Sequence, residues 1–135
     1  MSATPDLCVS ALVVEDDKLL LVQRGHAPGA GEWALPGGRV RSGETLAEAV
    51  VRELAEETGL EGVCGTFVGL AEVIDDDHHS VILDYRADLL EFAEPVAADD
   101  AADARWVPLV DVAEQRLVVG LGEFLHDHAI IDTYS

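Results

Sequence analysis

Three carboxylates crowd one short stretch of this chain, where Glu53, Glu56 and Glu57 stand in the spacing E-x-x-E-E. On a helix advancing 100° per residue they fall within about a 100° arc of one face. Like charges so placed repel, costing an isolated helix roughly 0.2 to 0.5 kcal/mol per i,i+4 pair, and ionisation in a cleft adds a desolvation penalty. Hard oxygen donors gathered in this way suit a hard divalent cation, Mg²⁺ or Mn²⁺. Arg52 directly precedes them. Its guanidinium can hold a neighbouring carboxylate by two hydrogen bonds, the alternative being a plain surface pair with Glu48 or Glu56.

The elements that must present this face are legible around it. Thr45 and Glu48 form a T-x-x-E capping box, which predicts a helix over Leu46–Thr58 with Thr45 as N-cap and Gly59 as a left-handed C-terminal cap. Ala47, Val50, Val51 and Leu54 lie on an arc beside the carboxylates and are expected to pack on a sheet. Upstream, Pro36-Gly37-Gly38 reads as a tight turn whose backbone can approach a ligand, making Gly37 and Gly38 candidate binding residues. No G-K-[ST] follows, so it is not a P-loop. Gly43 lets the chain turn again and return Glu44 toward the helix as a fourth carboxylate.

Along the rest of the chain, patterning predicts strands at 9–14 and 19–23 joined as a hairpin through 15–18, a glycine-containing loop at 25–31, and a short strand at 33–35. Two long strands at 63–73 and 80–90 are expected to pair. A polar loop at 97–103, an extended segment at 105–107, a short helix within 108–114 and an amphipathic helix at 122–130 complete a mixed sheet with flanking helices. The run Asp75-Asp76-Asp77-His78-His79 reads as a solvated hairpin loop, since adjacent histidines on an extended chain point to opposite sides. His126 and His128, two apart on a helix, diverge in the same way.

At 135 residues the chain is long enough for one domain with its own core, and 49% hydrophobic composition with no 18-residue apolar run indicates a soluble globule without a membrane span. The first seven residues lack the basic and apolar regions of a secretory leader, and Cys8 and Cys64 read as reduced packing residues, which together point to the cytoplasm. A net charge of −19 repels nucleic-acid phosphates and argues against a duplex partner. It repels small phosphorylated ligands as well, so a bound cation is needed for their approach. The acidic balance, with Lys18 the only lysine, suits either a salt-rich cytoplasm or an acidic mesophile protein.

From Gly38 to Leu60 the sequence matches G-x5-E-x7-R-E-U-x-E-E-x-G-U at every position, with Leu54 and Leu60 as the aliphatic sites, and so resembles the Nudix box. The resemblance extends over essentially the whole chain and implies an α/β fold, a mixed central β-sheet sandwiched between α-helices, as a single domain over residues 1–135. It implies that Glu53, Glu56 and Glu57 coordinate divalent cations with Glu44 as an additional ligand, while Arg52 orients them. The implied reaction is metal-dependent hydrolysis of a pyrophosphate linkage in a nucleoside diphosphate joined to another moiety. Either Glu56 or Glu57, or an acid from the 97–103 loop, would serve as general base; Asp100 stands where relatives place a glutamate.

The stretches 33–38 and 99–109 resemble the small ADP-ribose pyrophosphatase branch, so ADP-ribose is the expected substrate, with AMP and ribose 5-phosphate as products. A MutT-like nucleoside triphosphate pyrophosphohydrolase is the alternative, and a non-catalytic nucleotide sensor is the alternative of another class. The complete glutamate set argues against the sensor. Trp33 or Tyr85 could stack on a base and Arg24 could contact a phosphate, although each fits a structural role equally well. The resemblance also allows a homodimer, but no apolar stripe marks an interface.

Overall fold

Alternation along strand β1 (Asp6–Leu12) divides the molecule into two apolar layers. Val9 and Ala11 point into a cluster with Ala49, Val50 and Leu54 of helix α1 (Leu46–Thr58), whereas Leu12 joins a second cluster with Phe124 and Leu125 of helix α2 (Leu121–Asp127). The computed structural model describes residues 4–27 and 29–132; residues 1–3 of the stretch read for a leader, position 28 of the glycine-containing loop and residues 133–135 lie outside the described residues. Among the described residues no helix is long and apolar enough to cross a membrane.

Two four-stranded sheets carry these layers. In the mixed sheet β1 pairs antiparallel with β5 (Gly37–Arg39) and parallel with β7 (His79–Leu89), which pairs antiparallel with β6 (Gly62–Ile74), giving the order β5-β1-β7-β6. In the antiparallel sheet β3 (Lys18–Arg24) pairs with β2 (Val14–Glu15), β4 (Trp33–Ala34) and β8 (Ala101–Pro108). A 3₁₀ helix (Leu109–Glu114) leads from β8 toward α2.

The expected long hairpin between 9–14 and 19–23 does not form. Its turn is confined to β2 and β3, joined by Asp16 and Asp17 at φ 50° and 59°, the two-residue geometry suited to the twist of a hairpin. Beyond it the chain leaves that ladder at fully buried Val13, whose carbonyl accepts the Leu20 amide (3.0 Å), and β1 enters the other sheet. Leu19, Leu20, Leu21 and Val22 are buried in succession, so both faces of β3 are covered and the sequence pattern carries no record of its partner.

The acidic stretch 97–103 is likewise only partly a loop. β8 begins at Ala101, because the β3–β8 register continues past a bulge to pair Arg24 with Ala101. The helix expected at 122–130 is shorter: α2 begins after Gly120 at φ 85° and stops at His128, where the Ile130 amide turns back to Leu125 O (2.8 Å). Pro36-Gly37-Gly38 is not a tight turn, since Gly37 and Gly38 lie in edge strand β5 opposite Ser10 and Val9. By contrast α1 has the expected bounds, with both halves of the capping box formed and Gly59 at φ 74°.

Candidate active site

The Arg52 guanidinium gathers the acids of α1 and its preceding loop. Its Nε donates to Glu44 Oε2 (2.6 Å) and Nη2 to Glu44 Oε1 (2.9 Å), while Nη1 reaches Glu53 Oε1 (2.5 Å) and Glu56 Oε2 (3.1 Å). A further bond from Nη2 to Arg39 O (2.9 Å) fixes the plane of the fork. The pairing with Glu48 does not form, because Glu48 accepts the Thr45 amide of the capping box instead. Arg52 holds the Glu44 carboxyl well below its ordinary value, at about 2, helped by the Arg41 amide.

Glu53 and Glu57 sit in a different environment. Burial pushes the Glu53 carboxyl up, Arg52 opposes it, and the charges of Glu56 and Asp99 add to the rise. Its carboxylate lies against the Cα of Gly38, where any Cβ would collide with it. Burial pushes Glu57 up to about 7, opposed by a hydrogen bond that the Gly37 amide donates to its Oε1 (2.6 Å) and reinforced by Glu53, Asp99 and Asp100. The two glycines thus act through close approach to the helix face, not through a turn.

The 97–100 loop is tied to the end of α1 by Ala98 N–H to Glu57 O (3.2 Å). Asp100 projects to the rim with its side chain 78% exposed, 3.7 Å from His26 Nε2, and its carbonyl accepts the Gly25 amide (3.2 Å). Its neighbour Asp99, which sequence spacing does not single out, is held at φ 57°, and its charge bears on both Glu53 and Glu57. Two adjacent acids in this loop were the available signal; the direction each takes depends on that left-handed backbone.

Other candidates separate from this centre. Trp33 is 7% exposed within the α2-side core, with the Arg105 guanidinium 5.3 Å from its ring, so it offers no open face for a base. Tyr85 packs on the α1-side core and edge-on against Phe67 (5.4 Å). Arg24 ends β3, its side chain against Gly29. The histidines outside the site pair locally, His79 with Glu72 (2.6 Å) and His78 with Asp75 (3.5 Å).

Among the described residues no three His, Cys, Asp or Glu side chains converge as a preformed ion cage. The donor chemistry nonetheless fits a divalent cation. Arg52 is shared by Glu44, Glu53 and Glu56, Arg41 adds a bond to Glu56, and the ion pairs among the described residues include none to Glu57, whose charged form burial disfavours until a cation joins it. Oxygen-only donors of this kind suit Mg²⁺ or Mn²⁺ rather than a thiolate-seeking metal.

A family profile described as NUDIX domain matches residues 4–128. The chain is 38% identical over 107 residues to an ADP-ribose pyrophosphatase of Methanocaldococcus jannaschii, covering 78% of this chain and 63% of the relative. It is 34% identical over 105 residues to the oxidized purine nucleoside triphosphate hydrolase of Danio rerio, covering 72% and 63%. Each of these two relatives is therefore spanned for less than two thirds of its length. Among solved structures, the NUDIX domain of Shewanella oneidensis NrtR complexed with ADP ribose superposes with a TM-score of 0.80 at 29% identity, covering 96% of this chain and 88% of that one.

Proposed function

This chain belongs to the Nudix family, and from that premise we propose that it hydrolyses the pyrophosphate linkage of ADP-ribose, yielding AMP and ribose 5-phosphate. The observation that carries the reading is the Glu57 carboxylate, desolvated at the end of α1 and anchored by the Gly37 amide, beside acids gathered by Arg52. Glu53, Glu56 and Glu57, with Glu44, would hold a divalent cation. When bound, such a cation neutralises phosphoryl oxygens and makes water a better nucleophile.

The residues themselves supply position and proton transfer. Water attacks phosphorus in line, one P–O bond forms as the bridging P–O bond breaks, and Glu57 accepts the proton of the attacking water. Arg52 keeps Glu53 and Glu56 in place through charge-assisted hydrogen bonds. Asp99 and Asp100 add negative charge near Glu57, sustaining its demand for a cation. The ADP-ribose assignment draws on the M. jannaschii relative and on the ADP-ribose complex of the NrtR domain. The D. rerio relative favours a second reading, hydrolysis of nucleoside triphosphates.

A product-resolved panel with Mg²⁺ separates these. Equimolar AMP and ribose 5-phosphate from ADP-ribose supports the first reading; nucleoside monophosphate plus pyrophosphate moves the assignment to triphosphates. Binding of ADP-ribose with no product from any nucleotide would overturn both and leave a sensor.

A further inference from the structure

Glu56 accepts a hydrogen bond on each of its oxygens, and from two different guanidiniums: Arg52 Nη1 on Oε2 (3.1 Å) and Arg41 Nη2 on Oε1 (3.1 Å). The chain has eight lysines and arginines against 27 acids, so two cations on one carboxylate is more than chance surface pairing would place there. The two guanidiniums are not equivalent. Arg52 is 16% exposed and bonds Glu44, Glu53, Glu56 and the Arg39 carbonyl. The Arg41 side chain is 64% exposed, and the bond of its guanidinium goes to Glu56.

This difference in exposure gives the carboxylate an outer and an inner oxygen. Oε2 is turned into the acid cluster with Arg52, and Oε1 is turned toward solvent with Arg41. A cation arriving from water therefore meets Oε1 first, and meets Arg41 on it. The root of Arg41 is fixed among the acids: its amide donates to Glu44 Oε1 (3.0 Å) and its carbonyl accepts the Glu44 amide (3.0 Å), while Glu44 is itself gripped by Arg52. The backbone stays anchored, and the guanidinium at the end of a flexible stem can leave Glu56 and return to it.

We propose that Arg41 is a positioning residue that holds the outer oxygen of Glu56 and yields it to the divalent cation, so that this exposed ion pair sets the cation concentration at which the site fills. The inference rests on the proposed reading of Glu56 as a cation ligand. A guanidinium and a divalent cation on one oxygen repel each other, and the weaker tether gives way. An exposed pair with a single hydrogen bond is worth little, whereas displacing Arg52 would break several charge-assisted bonds in a mostly covered place. Arg52 therefore stays and keeps the acids together, while Arg41 moves. Because each cation bound displaces Arg41, the pair lowers cation affinity. An arginine that merely supported the loop would have the opposite sign, since its loss would disorder Glu56 and weaken binding.

The test is Mn²⁺ binding at the tightest site, followed by the electron paramagnetic resonance of the free ion, in the wild type, Arg41→Gln, Arg41→Lys and Arg39→Gln. Arg39 is the comparison because it lies two residues away, is 71% exposed, and pairs with Asp6 (3.1 Å) instead of the cluster. Its carbonyl, which Arg52 uses, is kept in the variant. Arg41→Gln is expected to bind Mn²⁺ about three- to tenfold tighter than the wild type. Arg41→Lys keeps the charge, and a single hydrogen bond needs no fork, so its affinity should stay within about twofold of the wild type, as should that of Arg39→Gln. Thermal melts establish that each variant is folded; if Gln does not fold, Arg41→Ala replaces it. Unchanged or weaker binding in the folded Gln or Ala variant overturns the proposal. Equal tightening in Arg39→Gln, which would trace the effect to net charge, or in Arg41→Lys, also overturns it. Absence of Mn²⁺ binding in every protein overturns it together with the cation reading of Glu56. The expected pattern of affinities without turnover of ADP-ribose would support it and count against the pyrophosphatase reading alone.

Discussion

Arg52 grips Glu44 by two parallel bonds, Nε to Oε2 at 2.6 Å and Nη2 to Oε1 at 2.9 Å, and so fastens the loop before α1 to the helix that carries the other acids. The same guanidinium reaches Glu53 and Glu56, so it serves three carboxylates, with Arg41 a second partner of Glu56 at 3.1 Å. Arg52→Lys retains the charge but loses the fork. We expect kcat to fall at least tenfold while the protein stays folded; unaltered kcat in a folded Lys variant would remove Arg52 from the positioning role.

Glu57→Gln keeps the shape of the side chain and its bond from the Gly37 amide, yet cannot take a proton or a cation. Turnover should fall roughly 10²- to 10⁴-fold with a melting temperature no lower than that of the wild type. The thermal behaviour follows because burial penalises the charged form of Glu57. Comparable activity in the variant would transfer the proton to another carboxylate, Asp99 being the first to examine.

Gly38 and Gly43 offer a matched pair of substitutions. A Cβ at Gly38 collides with the Glu53 carboxylate, whereas one at Gly43 meets nothing within 4 Å but must adopt φ 81°. Gly38→Ala is therefore expected to lower activity severely by displacing Glu53. Gly43→Ala should cost about 1 kcal/mol of stability from backbone strain and leave kcat largely intact. Steady-state kinetics and denaturant melts on both variants check the contrast, and equal activity loss in the two would refute it.

Chelation tests the cation directly. Exhaustive EDTA treatment is expected to abolish turnover without loss of helix, and added Mg²⁺ or Mn²⁺ to restore it and raise the melting temperature with concentration. Full activity after chelation would mean that the carboxylates of α1 do not work through a metal.

Asp84 gives the stability a pH dependence of known sign. Its folded carboxyl titrates at about 7, against 3.8 for the ordinary value, with burial as the main cause and Ser10 and His128 as the groups that oppose it. Between these values the folded state binds more protons than the unfolded one, so this contribution is present below pH 3.8 and is lost as pH rises to about 7. Asp84→Asn should therefore raise the melting temperature at pH 8, with a smaller gain at pH 5. A gain that is larger at pH 5 than at pH 8 would contradict the assignment.

Whatever depended on neighbours within a few turns was legible in the residues. The spacing of Glu53, Glu56 and Glu57, the capping box of Thr45 and Glu48, and the C-terminal Gly59 are local, and α1 has the bounds they imply. Gly37 and Gly38 were recognisable as important but for the wrong reason, since strand pairing and the approach of Glu53 and Glu57 come from distant parts of the chain.

Tertiary structure decided the rest. It buried Trp33, split the expected first hairpin between two sheets, extended β8 into the acidic stretch, and brought the charges of Asp99 and Asp100 to bear on Glu57. Above all it aligned Gly37, Ser10, Asp84 and Gly69 in one row although they are far apart in sequence. A helix face is set by a rotation of 100° between successive residues and can be read from one segment, whereas a row across a sheet is set by register between strands, and register is fixed only when the separate segments pack together.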